Sequence, residues 1–229
     1  MKKHTILFLA ANPSDTDRLA LDREARAIQV ELERSGFRDC FELVTRWAAE
    51  PLDLLRELRK LKPTVVHVSG HSTASAVVEP RPEPALRRDI IREPRDRDSG
   101  EPRHGLIFAG SDGRARLVST AALKATFDAA GSSVKLIVLD ACYSEVQAKA
   151  LLDHADCVVG MAGSIHEDAA RSFAIGFYGG LGERESVAAA YQQGCAAIGL
   201  EGLSDAERPQ LKVRTGVDAT RLVLATDPS

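Results

Sequence analysis

Two short apolar runs constrain this chain more than anything else in it: Val65-Val66-His67-Val68-Ser69-Gly70-His71 and Leu136-Ile137-Val138-Leu139-Asp140-Ala141-Cys142. Each has the length of a buried strand, and each ends on a reactive side chain. Strands apolar on both faces belong to a parallel sheet covered on two sides. The carboxyl ends of such strands face the crevice where ligands bind, and neighbouring strands lie about 4.7–4.9 Å apart. His71 and Cys142, far apart in sequence, can therefore meet at one site.

The remaining pattern supports such a sheet. His4 to Ala10 reads as a first strand, Leu19 to Ser35 as a helix stopped by Gly36, and Phe41 to Arg46 as a half-buried strand. Pro51, followed by Leu52, Leu54, Leu55 and Leu58, predicts a helix with proline in its first turn. Between Glu79 and His104 five prolines stand among seven arginines and seven acidic residues, a polar insertion with little apolar surface to offset its ordering entropy. Gly105 to Ala109 and Ala115 to Val118 predict a hairpin about Asp112-Gly113, and Ser119 caps a helix from Ala121 to Ala130. Val134 to Leu139 and Cys157 to Met161 are further strands, and Ser144-Glu145-Val146-Gln147 has the form of a capping box just past Cys142. Helices near Glu167 to Leu181 and Ser186 to Leu200 follow, with Arg221 to Ala225 as a late strand. Alternating strands and helices predict an α/β chain with helices on both faces of a mostly parallel sheet, organised as one domain over residues 1–229 and interrupted by the 79–104 insertion.

Composition removes several function classes. A formal charge of −3 gives no basic surface for nucleic acid. Ile6 to Ala11 is too short an apolar run for a leader or a membrane span, so no membrane partner is expected. Cys40, Cys142, Cys157 and Cys195 are widely spaced, which predicts neither a zinc site nor a disulfide framework, but reduced thiols in a cytoplasmic setting. Ala10-Ala11-Asn12-Pro13 replaces the Gly-rich loop that a nucleotide-binding flavodoxin-like or TIR-like domain needs.

Among the reactive residues, Cys142 stands at a strand-to-helix turn, where backbone N–H groups and a helix dipole favour a thiolate. Cys157 and Cys195, inside a strand and a helix, read as packing residues. His71 follows Gly70 at a strand end and could serve a cysteine nucleophile as general acid and base, whereas His67 between two valines reads as a core histidine. Asp140 shares the face of Cys142 while the chain is extended. Its carboxylate opposes thiolate formation, so either a basic substrate group offsets it or it merely shapes the turn.

Ser69-Gly70-His71 on one strand and Asp140-Ala141-Cys142-Tyr143-Ser144 on a later one make the chain resemble the caspase-like CHAT peptidases, relatives of caspases, metacaspases and separase. The resemblance implies a caspase-hemoglobinase-like three-layer sandwich and a His/Cys dyad at His71 and Cys142. It further implies an oxyanion hole from the backbone N–H groups of Ser72 and Cys142, a protein substrate, and no metal or organic cofactor. In metacaspases an acidic residue two before the cysteine binds arginine or lysine before the scissile bond, and Asp140 matches it. Asp15 and Asp17, in the loop after the first strand, are further pocket candidates. Many bacterial CHAT domains are effectors in defence systems, switched on by a sensor, which extends the expectation to a regulatory partner and a role in antiviral defence. With arginines such as Arg87, Arg88 and Arg92, the insertion would then suit a lid or a self-cleavage site. Ser72 and Glu145 replace glycines of the family pattern, so a non-catalytic caspase-like interaction module is the alternative reading.

Overall fold

A computed structural model describes residues 3–73 and 104–225 of the chain. The expectations for the insertion lie outside the described residues, apart from His104.

Six strands form the central sheet: β1 (His4–Ala10), β2 (Phe41–Arg46), β3 (Val65–Ser69), β7 (Leu136–Asp140), β8 (Cys157–Met161) and β9 (Pro209–Val213), in the order β2-β1-β3-β7-β8-β9. The first five run parallel, and β9 pairs antiparallel with β8. A second sheet holds β4 (Ser72–Thr73), β5 (Gly105–Ala109) and β6 (Ala115–Ser119), the last two forming the expected hairpin.

Because side chains alternate across a strand, each apolar run feeds two cores. Ile6, Phe8, Val65, Leu136, Val138, Cys157 and Val159 pack beneath α1 (Leu21–Arg34), α5 (Glu167–Gly182) and α6 (Val187–Leu200). Leu7, Leu9, Val66, Val68, Ile137, Leu139 and Val158 pack on the other face, with α2 (Pro51–Leu61), α3 (Thr120–Ala130) and α4 (Glu145–Ala150). These layers make the three-layer sandwich.

The parity that sorts the cores also decides the site. His67, Ser69 and Asp140 share the face of Val65 and Val138, so three polar side chains point toward α1 and α5. Ser69 and Asp140 are register partners across β3 and β7. His71 and Cys142 thus leave the sheet at the same level of adjacent strands.

Two local expectations fail. Ser144 is not a capping-box residue: its hydroxyl donates to the Leu139 carbonyl at 2.8 Å and accepts from the Met161 N–H at 3.0 Å, tying the turn to β7 and β8. The late strand at Arg221 to Ala225 is replaced by one isolated bridge, Val223 to Ser186, and the sheet closes instead on β9.

Candidate active site

A cavity of about 250 Å³ opens where β3 and β7 end, and His71, Asp140 and Cys142 all line it, with Asp17, Glu24, Ser69 and Arg171 among their neighbours.

The turn after β3 depends on glycine. Gly70 has φ +157°, and a Cβ there would stand 2.6 Å from the Ala11 carbonyl oxygen. His71 is therefore delivered by a backbone that passes against β1's exit. Its Nε2 lies 2.8 Å from the Asp17 carbonyl oxygen. A carbonyl can only accept, so Nε2 carries a proton, and in the neutral ring Nδ1 holds the lone pair.

Cys142 sits on an equally constrained turn. Tyr143, next in the chain, has φ +57°, a left-handed conformation that costs a residue with a side chain about 1–2 kcal/mol. Its N–H donates to the Gly163 carbonyl at 2.9 Å. The Cys142 sulfur lies 3.6 Å from the Ser164 hydroxyl and 3.8 Å from the Ile165 carbonyl oxygen, to which the thiol can donate. The 163–166 segment is itself anchored, because Asp205 accepts from the His166 N–H at 3.0 Å and lies 2.7 Å from its Nδ1.

Ser72 bears on the third element of the site. Its hydroxyl donates to the Cys142 carbonyl in a short contact, joining the two turns. Ile107 donates to the His71 carbonyl, and Ser72 faces Leu106 in the antiparallel ladder. That register puts Ser72 at a non-hydrogen-bonded position, so its own N–H points away from β5. Glu145, the other departure from the family pattern, pairs with Lys212 of β9 at 2.5 Å and is not among the residues lining the cavity.

Beneath the dyad candidates lies a buried polar cluster. Ser69 donates to Glu24 Oε2 at 2.5 Å, His67 Nδ1 is 2.9 Å from the Tyr178 hydroxyl, and His67 Nε2 is 2.9 Å from Glu24 Oε1. Burial pushes Asp140 well above the usual carboxylate range, and the charge of Glu24 adds to this. Burial raises Glu24 too, against the hydrogen bond from Ser69. Both carboxyls are therefore pushed toward the neutral form, where the sequence suggested a free carboxylate repelling the thiolate. Burial also pulls His67 down to about 4, keeping it neutral.

Of the residues singled out from sequence, His71, Cys142, Asp140 and Asp17 reach this cavity, Asp17 holding His71 through its carbonyl. Asp15 stands apart: it accepts from the Ala115 N–H at 2.6 Å and pairs with Arg114, beside the hairpin. Glu24 was missed. Its signal was a charge among Leu21, Ala25 and Ile28, on the apolar side of α1.

Layering and topology define a caspase-fold protein. The crystal structure of the Drosophila initiator caspase Dronc is similar at a TM-score of 0.53 and 9% identity, over 97% of this chain and 83% of that one. A secreted C11 cysteine protease from Bacteroides thetaiotaomicron, iotapain, compares at a TM-score of 0.49 and 13% identity, over 79% of this chain and 58% of that one. A family model described as CHAT domain matches residues 3–198, and the chain belongs to that family. A curated relative, a Roc-COR-CHAT protease from an unknown prokaryotic organism, is 24% identical over 200 residues, 84% of this chain. The chain spans 16% of that relative's length. No helix among the described residues is long and apolar enough to cross a membrane.

Proposed function

We propose that the chain is a cysteine endopeptidase domain that cleaves a partner protein after arginine or lysine. The observation that carries this reading is the convergence of His71 and Cys142 on one cavity, at the same level of adjacent parallel strands, with Nδ1 of His71 left as the free base. In this reading Nδ1 takes the Cys142 thiol proton, and the sulfur attacks the scissile carbonyl. The N–H groups of Ser72 and Cys142 receive the developing oxyanion, and His71 returns the proton to the leaving amine. Water then hydrolyses the thioester with the same base.

Specificity follows from what lines the cavity. Asp17, Glu24, Asp140 and Glu167 stand there against one guanidinium, Arg171, which already pairs with Asp168 at 2.7 Å. A basic side chain entering from substrate gains a charge-assisted hydrogen bond to Asp140, and its positive charge favours the ionised carboxylate. The named relative supports a protease, and its greater length supports regulation by further domains or a sensor. We extend the proposal to a defence effector on the family resemblance, and to a reducing, cytoplasmic setting on the four free cysteines.

Profiling the protein against a peptide library, with Cys142→Ala as control, tests the proposal. Cleavage after arginine or lysine, lost in the variant, is expected. Preference for aspartate or large apolar residues would remove Asp140 as the pocket floor. No cleavage of any library member by folded protein, even with the native partner protein supplied, would favour the non-catalytic module.

A further inference from the structure

Three buried polar atoms in the pocket floor have no hydrogen-bond partner. Glu24 Oε1, His67 Nε2 and Asp140 Oδ2 are sealed from solvent and make no hydrogen bond; the short approach of His67 to Glu24 lacks hydrogen-bond geometry. The three residues are 6%, 1% and 6% exposed, and one ligand atom from each lies within 4.8 Å of the others. Buried polar groups are normally paired, and a converging set without donors calls for an ion or a proton. A proton shared between Glu24 and Asp140 satisfies two of the three and leaves the imidazole. A basic side chain that bonds Asp140 from the cavity would do so through Oδ1, which leaves Asp140 Oδ2, Glu24 Oε1 and His67 Nε2 without a partner. A dehydrated cation satisfies all three.

We propose that Glu24, His67 and Asp140 form a divalent-metal site of the zinc type beneath Cys142, and that a bound ion and a basic substrate side chain exclude each other there. One imidazole and two carboxylates are a ligand set for zinc or cobalt rather than for calcium or magnesium, which favour oxygen alone. Ligand distances of about 2.0–2.2 Å require the three side chains to adjust slightly about the ion. Three protein ligands leave a fourth position, which would open toward the cavity that Glu24 and Asp140 line. The outer support is also present: with Nδ1–H donating to the Tyr178 hydroxyl, Nε2 is oriented as a lone-pair donor, the arrangement that fixes metal-bound histidines. The ion would neutralise the carboxylates that attract a basic side chain. Mutual exclusion rests on the specificity reading above; metal binding does not.

The test uses the full chain carrying Cys142→Ala, so that no ion can bind the thiolate. Metal-free protein is titrated with Co²⁺, read by its visible d–d bands, and then with Zn²⁺ as competitor. A single equivalent should bind and be displaced by Zn²⁺. Glu24→Gln should weaken Co²⁺ binding at least about tenfold, and Tyr178→Phe, which removes only the outer support, by about ten- to a hundredfold. Agmatine, a guanidinium probe, should raise the apparent Co²⁺ dissociation constant. Folded protein without bands, or bands indifferent to both variants, overturns the site. Binding that agmatine leaves unchanged overturns the exclusion. Hydrolysis of arginyl peptides by the unmodified chain in EDTA judges the peptidase reading separately.

Discussion

Asp17 and His71 are joined through the backbone: the Asp17 carbonyl oxygen lies 2.8 Å from Nε2 of the imidazole. The contact uses the carbonyl and not the carboxylate. Asp17→Ala should therefore leave kcat within about threefold of the parent, with any larger change confined to KM. His71→Gln should lower kcat by about 10²–10⁴, the range general acid–base catalysis supplies. Steady-state kinetics on one arginyl peptide compares the two. A loss in Asp17→Ala as deep as that in His71→Gln would show that the carboxylate, not the carbonyl, serves the histidine.

Asp140→Asn keeps the shape of the pocket floor and removes its charge. Charge-assisted hydrogen bonds contribute about 1.5–3 kcal/mol, so kcat/KM for arginyl peptides should fall roughly ten- to a hundredfold. Alkylation of Cys142 by uncharged iodoacetamide should change little, because burial and the charge of Glu24 already disfavour the charged form of Asp140. A parallel fall in alkylation would mean that Asp140 acts on the thiol and not on the substrate.

The cysteines should separate by environment. Burial, with the nearby Asp156 charge adding to it, pushes the Cys157 thiol up to about 12, and burial raises Cys195 as well. Iodoacetamide on the native protein near pH 8, followed by peptide mapping, should modify Cys142 and spare Cys157 until the chain is unfolded.

Asp205 links stability to the wall of the site. Hydrogen bonds from the His166 N–H, then from its ring, hold Asp205 below its ordinary value. A carboxyl depressed in the folded state gives its full contribution above its unfolded pKa and loses it as pH falls through the folded one. Asp205→Ala should cost about 1.5–3 kcal/mol near neutrality, and the gap to the parent should narrow below about pH 4. Urea melts at several pH values read this directly. A gap that stays constant into acid would show that the carboxylate charge plays no part.

The buried strands were legible because short, β-branched apolar runs such as Leu136 to Leu139 suit a sheet covered on both faces, and β1, β2 and β8 have the expected bounds. His71 and Cys142 were legible for the same reason, as reactive residues that end such runs. What escaped depended on partners distant in sequence. Ser144 was read locally as a cap, but Met161, seventeen residues on, recruits its hydroxyl. β9 is a short, half-exposed edge strand beginning with proline, and only its pairing to β8 makes it a strand. Asp140 was read as a free carboxylate because its neighbour Glu24 comes from α1, 116 positions earlier in the chain.

The central claim, that Cys142 is a nucleophile served by His71 and fed by an acidic pocket that takes a basic side chain, is tested most directly with a peptidyl-arginine acyloxymethyl ketone and intact-mass spectrometry. Such a reagent alkylates a thiol that is both activated and correctly placed beside a bound arginine. The account predicts one adduct, mapped to Cys142, lost in His71→Ala and slowed at least about tenfold in Asp140→Asn. Folded protein that stays unmodified, or an adduct on Cys40 or Cys195 in place of Cys142, would contradict it.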